Sequence, residues 1–387
     1  MNSYKSLFRN RNNYIDYLRG LSILLVVVTH GFLNLKWLIF TNLLPKANFD
    51  ILRSNGYLGV SIFFVVSGYL ITQKIVLPRI DKQGIFDSLG DNLKLSDFYL
   101  SRALRIFPPL ILLFLITLIL ANSNSQYFAD FKVKPSWLLY VAAMHAFTFT
   151  YNNFYLGLGG STIGIRHLIP LWSLSIEEVF YFGWPILIKI FKSKLLIILV
   201  LVLIIFLSPV YRIEHGYISE YYLLGCVDML ALGCLAAICS SSIKKLRKKS
   251  ALSARVLIFI LLVSVLTIID IHRHYVLAQT ILGVLSALYL LTSETKDPVD
   301  KSKNIFFGLG LPLQILGVLS YEIYLFHLMF MNIFYRLDFY NGSNYLSSVI
   351  PLGTLVLFSS VLHFILFEPF RKKVLKLSRS HKSGAAI

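Results

Sequence analysis

Charge is scarce in this sequence. Only 14% of its 387 residues are Asp, Glu, Lys or Arg, where a soluble domain carries roughly a quarter. That shortage excludes a water-soluble globular protein, because most of the chain cannot face water. Acidic residues are the scarcer sign, 19 against 37 Lys and Arg, for a formal net charge of +18. Such an excess would suit nucleic acid, but the basic residues lie between apolar segments, where they orient membrane spans, so no nucleic-acid partner is expected. Cysteine is nearly absent: Cys226, Cys234 and Cys239 fall on one apolar stretch, with neither metal-ligand spacing nor a disulfide framework. They read as small packing residues, and nothing in the pattern calls for a metal. Internal repeats, low-complexity tracts and a separate soluble domain are also missing. No cleavable signal peptide is expected, since the first apolar run, from about Leu18 to Phe40, is long enough to span and no small-residue cleavage site follows it.

What the chain does have is apolar length: 56% of it is hydrophobic, in runs such as 110–120 and 195–207. About 20 apolar residues cross the roughly 30 Å hydrocarbon layer. On that basis ten spans are predicted near 18–38, 57–76, 104–121, 171–190, 195–210, 221–239, 256–270, 275–292, 311–333 and 346–367. A further stretch, 137–150, is short and ends polar. Leaving it out places both termini in the cytoplasm and puts 28 of the 37 basic residues on the inner side, with nine outside. Counting it as a span would move either the N-terminal half or the Lys244–Arg255 cluster to the wrong side. The expected fold is therefore an all-α polytopic membrane protein, a single bundle of about ten transmembrane helices forming one domain over 1–387. In this reading 121–170 is the largest outer segment, 77–103 the largest inner loop, and 373–387 a basic cytoplasmic tail.

Ionisable residues inside such a bundle are costly and point to function. The first span carries Asp16, Arg19 and His30 in the stretch Tyr14–His30. Arg19 and His30 are 11 residues apart, so at about 100° and 1.5 Å per residue they share a face about 16 Å apart, with Asp16 within about 40° of it. Asp16 and Arg19 also suit a plain cytoplasmic helix end, and His30 a histidine bonded to another helix. The second span holds Gly59, Ser67 and Gly68, small enough for a neighbouring helix or a slim ligand to approach. Arg102 and Arg105, three apart in Phe98–Pro109, share a face at the inner mouth of the third span. Guanidinium forks there suit phosphate; the plain alternative is positive-inside anchoring. In the fourth span Trp172 precedes Ser173, Glu177 and Tyr181, which follow one another at i,i+4 steps. Glu177 and Glu178 point about 100° apart, so at most one faces a common site, and either also suits a helix start. The ninth span sets Tyr324 and His327 one turn apart, with Glu322 costly unless paired.

These stretches resemble the bacterial acyltransferase 3 family. The resemblance rests on Asp16-Tyr-Leu-Arg-Gly-Leu with His30, Phe64-Val-Val-Ser-Gly-Tyr, Arg102-Ala-Leu-Arg-Ile-Phe-Pro and Trp172-Ser-Leu-Ser-Ile-Glu-Glu-Val-Phe-Tyr. Ser320-Tyr-Glu-Ile-Tyr-Leu-Phe-His and Phe367-Glu-Pro-Phe-Arg match more loosely. Each motif is weak alone, but they occur in family order over about 14–372. The resemblance implies a ten-span bacterial inner-membrane enzyme that moves an acetyl or other acyl group from cytoplasmic acyl-CoA to a carbohydrate hydroxyl. It makes His30 the catalytic residue, with Arg19 its paired arginine, Glu177 the acid of the fourth motif, and Arg102 and Arg105 the acyl-CoA entrance. Asp16 joins the catalytic set. Ser67 and Gly68 join the donor site, and Trp172, Ser173, Tyr181, Tyr324 and His327 are candidates for holding the acceptor. Glu322 departs from the family, which usually has an uncharged residue there. Many relatives continue into a soluble hydrolase-like domain; this chain stops at 387, so transfer is expected to be completed without one.

Acyl transfer to a hydroxyl needs a base, an oxyanion stabiliser and a positioned thioester. Acetyl-CoA, as donor, would keep its phosphates against Arg102 and Arg105 and thread its pantetheine arm toward His30. His30 then acts as base or briefly carries the acyl group. The acceptor is a cell-envelope carbohydrate or lipid-linked glycan; O-antigen, capsule, exopolysaccharide, peptidoglycan precursors and small glycosides all fit. A glycan transporter or flippase would use the same charges to line a pathway, but the broken helices and inverted repeats of that class are not visible in the sequence. A non-catalytic membrane subunit would not need ordered ionisable residues at three spans.

Overall fold

The computed structural model describes residues 12–35, 46–83, 95–132, 136–158, 165–191, 193–243, 248–293, 305–337 and 346–384. The 28 inner basic residues include Lys5, Arg9, Arg11 and those of 84–94 and 296–303, which lie outside the described residues. Among the described residues there is no strand. A bilayer offers the backbone no hydrogen-bond partners, so apolar segments satisfy themselves as helices.

In chain order these are α1 (Asn13–Leu35), α2 (Lys46–Ser54), α3 (Leu58–Gln83), α4 (Leu95–Ala121), α5 (Trp137–Phe147), α6 (Tyr151–Gly157), α7 (Leu171–Phe191), α8 (Lys194–His215), α9 (Leu223–Ile243) and α10 (Lys248–Ile268). There follow α11 (Ile271–Ser293), α12 (Ile305–Val318), α13 (Ser320–Arg336), α14 (Leu346–Val361) and α15 (Glu368–Gly384). A π turn, Leu362–Phe367, joins α14 to α15.

Every predicted span falls on a helix, and 137–150 forms only the 11-residue α5. Six helices among the described residues are long and apolar enough to cross a membrane, and a seventh if α12 and α13 count as one. α1 and α7 are not among the six; both carry ionisable residues, Asp16 and Arg19 on one, Glu177, Glu178 and Lys189 on the other. α10 is short of apolar length, its apolar part being Ser253–Ile268. The span predicted as continuous over 311–333 is in fact broken at Leu319.

The helices sort into two compact units. Unit 1 takes α1 through Leu33, α2, α3, α7 from Ile176 and α8 to α12; unit 2 takes α4, α5, α6, the start of α7, and α13 to α15. In unit 1, α3 and α9 lie backbone to backbone. A Cβ on Gly68 would come within 2.1 Å of the Leu230 carbonyl oxygen, and one on Gly233 within 2.0 Å of that of Val65. The same device seats α1 on α12, where a Cβ on Gly20 would meet Leu313 O at 1.9 Å and one on Gly317 would meet Asp16 O at 1.9 Å. Close approach of this kind suits lipid, where packing rather than water exclusion drives helix association. α8 turns much of its apolar surface outward, with Leu203 and Phe206 57% and 71% exposed, a face fit for acyl chains.

Unit 1 also buries a polar knot that the sequence reading missed. Arg212 on α8 donates to both carboxylate oxygens of Asp228 on α9, at 2.8 and 2.7 Å, and to the Gly225 carbonyl at 2.8 Å and Thr280 Oγ1 at 3.1 Å. Ser208 Oγ lies 3.0 Å from the same carboxylate and 2.5 Å from the Leu224 carbonyl, sharing its one proton between them. A bidentate, well-donated pair is the form in which a charge survives in a low-dielectric interior. Arg212 is thus a fastener between helices and not one of nine solvent-facing outer charges.

Candidate active site

Asp16 and Arg19 are buried on α1. The start of this helix is tied down on two sides. The Arg255 guanidinium lies 3.6 Å over the Tyr14 ring and donates to the Thr292 carbonyl at 2.6 Å, while Gln314 donates to Asn13 Oδ1 at 2.9 Å. Three turns further, half-buried His30 donates Nδ1–H to the Val26 carbonyl at 2.8 Å. A carbonyl can only accept, so that bond selects the tautomer. The neutral ring carries its proton on Nδ1 and its lone pair on Nε2.

On α7, Glu177 Oε1 accepts hydrogen bonds from Ser67 of α3 and Tyr181 of its own helix. Residues expected in three different roles, a donor-site serine, a catalytic acid and an acceptor-site tyrosine, are brought to one carboxylate oxygen. The next pair along the same two helices, Trp184 Nε1–H to Thr72 Oγ1 at 2.8 Å, holds the register. Glu178, the next residue, is buried as well. Gly68, beside Ser67, is taken up by the packing of α3 on α9, the alternative the sequence left open for it.

Unit 2 gathers a second group. Ser173 donates to the Pro170 carbonyl at 3.1 Å, so it accepts from the Tyr324 hydroxyl at 2.6 Å. With its proton committed to a carbonyl, Ser173 positions Tyr324 and is not poised as a nucleophile. His327 donates Nδ1–H to the Tyr324 carbonyl at 2.6 Å, the same tautomer as His30. Trp172 is buried beside Ser173. Arg102 and Arg105 are half-buried on α4, the former with its guanidinium 5.8 Å from the centre of the Phe98 ring. α15 packs against this helix, with its Arg371 and Lys372 bridged to Glu368 at 2.7 and 3.4 Å.

Glu322, the costly departure noted above, has a partner: His363 in the π turn, 2.8 Å from Oε1. Such turns re-aim side chains, and here one delivers an imidazole to a buried carboxyl. His167 is the other residue the sequence reading passed over. Thr117 Oγ1 spends its proton on the Leu113 carbonyl at 2.9 Å, so it accepts from His167 Nε2–H at 2.9 Å. The ring packs on Phe131 at 4.7 Å and is fully buried. Burial pushes its pKa down to about 3, so it stays neutral. Its signal, a lone histidine just ahead of the Trp172 motif, was too generic to read.

Comparison with known proteins bears on what these groups do. A protein of Listeria monocytogenes named peptidoglycan O-acetyltransferase OatA is 26% identical over 349 residues, 81% of this chain and 48% of that protein. A Bacillus subtilis protein, YrhL, provisionally named a peptidoglycan O-acetyltransferase, is 26% identical over 332 residues, 81% of this chain and 47% of its own length. A Staphylococcus aureus protein provisionally named an O-acetyltransferase is 29% identical over 177 residues, 45% of this chain and 24% of its own. The chain thus spans about half the length of the longer-matching relatives. No solved structure is a significant match. The family model described as an acyltransferase domain matches residues 12–368, taking in the motifs from Asp16 to His327 and the first two residues of the last; the chain belongs to the acyltransferase 3 family.

Proposed function

We propose that this protein is a membrane O-acetyltransferase that moves an acetyl group from acetyl-CoA on the cytoplasmic side to a hydroxyl of a cell-envelope carbohydrate. The observation that carries this reading is the His30 tautomer: with Nδ1–H held by the Val26 carbonyl, Nε2 presents a lone pair suited to a general base. In the reaction Nε2 takes the proton of the acceptor hydroxyl as its oxygen attacks the thioester carbonyl. The C–S bond then breaks, and the CoA thiolate takes that proton back from Nε2 and leaves as the thiol. Arg102 and Arg105 hold the donor's phosphates, and the Ser67–Glu177–Tyr181 cluster keeps α3 and α7 in register. Peptidoglycan is the first acceptor to test, because two relatives carry it in their names. Mass spectrometry of envelope glycans from cells with and without the protein should show one acetyl group per modified unit disappear on deletion; unchanged glycan masses would refute the reading.

The ten-span arrangement in the inner membrane, with 121–170 outside and 244–255 inside, belongs to the same proposal. It rests on the 28-to-9 division of basic residues, which becomes 26 to eight once the buried Arg19, Arg255 and Arg212 are set aside. Single-cysteine labelling tests it after Cys226, Cys234 and Cys239 are replaced. A cysteine near position 248 should react only after the membrane is made permeable, and labelling of it by an outside-only reagent would refute ten spans.

The break at Leu319 is a feature that transporters also use, which keeps a glycan-export reading in view. Export without transfer would leave glycan acetylation unchanged while altering where the glycan accumulates, and the same deletion strain separates the two.

A further inference from the structure

One buried carboxyl in unit 1 plays no part in the chemistry above. Glu220 lies in the turn Gly216–Tyr221 between α8 and α9 and is 2% exposed. Arg212, the buried cation on α8, has both terminal nitrogens bound to Asp228. The hydroxyls of Tyr221 and Tyr217 hydrogen-bond the Glu220 carboxyl, and Tyr57 and Tyr275 lie within its electrostatic reach. Its Oε2 has no hydrogen-bond partner among the described residues. A buried acceptor left in that state is costly and calls for a donor.

The surroundings say what kind of donor. The rings of Tyr57, Tyr217 and Tyr275 touch one another, with centroids 5.7, 6.0 and 5.4 Å apart. Tyr217 is 42% exposed and Tyr275 9%, so the cluster runs from the surface down to the carboxyl. The proposed topology sets all of these elements at the same level: Tyr57 opens the second predicted span, 216–221 joins the fifth to the sixth, and Tyr275 opens the eighth. By the charge division each of these ends faces outward, away from the CoA side.

We propose that Glu220 with Tyr57, Tyr217 and Tyr275 forms a saccharide subsite for the acyl acceptor at the outer end of unit 1. The carboxyl accepts hydrogen bonds from sugar hydroxyls, and the exposed face of Tyr217 stacks on the C–H face of the sugar ring. The assignment rests on the function proposed above. An aromatic cage for an organic cation needs its rings held apart around the ion; these rings are already in contact, leaving no such space. An interfacial belt of tyrosines accounts for Tyr217 at the surface but not for the carboxyl beneath it.

The test uses the full chain in detergent, a soluble peptidoglycan disaccharide as the acceptor probe and acetyl-CoA as donor. Wild type should bind the disaccharide in saturation-transfer NMR. Glu220→Gln and Tyr217→Ala should each weaken that binding, and raise the acceptor KM, by at least about tenfold, with the donor KM unchanged. Should Glu220→Gln fail to fold, Tyr217→Ala, at an exposed position, carries the test. Unaltered binding and acceptor KM in a folded variant, alongside normal wild-type transfer, would overturn the subsite and leave the transferase reading standing. Wild type that binds the disaccharide through Glu220 without acetylating it would overturn the transferase reading and keep the subsite. No binding by wild type overturns the subsite outright.

Discussion

His30→Gln should yield folded, membrane-inserted protein of native abundance and native donor affinity whose acyl transfer is lower by at least about 10²-fold, the low end for a lost general base. Glutamine can still donate to the Val26 carbonyl that His30 Nδ1–H reaches at 2.8 Å, so the helix keeps its local bond. What it cannot supply is a nitrogen lone pair that takes a proton near neutral pH. The position fits the role as well. His30 lies about 16 Å along α1 from Arg19, a span comparable to an extended pantetheine arm. A merely structural histidine would tolerate the amide. Near-native turnover in this variant would end the His30 mechanism and turn attention to His327, whose Nδ1–H is likewise held by a carbonyl, that of Tyr324.

The next largest effect is expected at the donor mouth. Hydrogen bonds to charged groups contribute about 1.5–3 kcal/mol each, so Arg105→Ala or Arg102→Ala should raise the donor KM about tenfold or more. The double variant should exceed either single one. Lysine should rescue in part, because it restores the charge but not the planar fork. Steady-state kinetics at varied acetyl-CoA decides the matter. A donor KM unchanged in both singles and the double would leave the two arginines as positive-inside anchors.

Much of the architecture was legible from residue order. Long apolar runs have one low-energy form in lipid, and each predicted span lies on helix, the ninth on two helices and the tenth on a helix and the π turn after it. The ninth was read as continuous across Leu319 because its apolar run has no gap there; the break appears where α12 settles on α1 through Gly317 and Asp16, a contact between residues some 300 positions apart. The π turn at Leu362–Phe367 was hidden for a similar reason, since nothing local in Leu-His-Phe-Ile-Leu-Phe announces it. Its consequence was half visible: Glu322 was recognised as untenable alone, but His363 became its partner only through folding.

The site divides along the same line. Ionisable groups in apolar stretches stand out because lipid penalises them, so Asp16, Arg19, His30, Arg102, Arg105 and Glu177 could be named from order and spacing alone. Spacing along one helix also put Glu177 and Tyr181 on one face, where the fold bonds them to each other. The Ser67 bond to that same carboxylate, across 110 positions, could not be derived that way. Arg212 shows the limit most plainly: by sequence it is one basic residue near a span end, counted with the outer charges, and in the fold it is locked to Asp228 away from solvent. Residue order determined which segments enter the membrane environment and which charges are too costly there to be accidental, because both follow from transfer energies of individual residues. Tertiary structure alone decided which partners those charges meet, because that depends on the neighbours a helix acquires only when it packs.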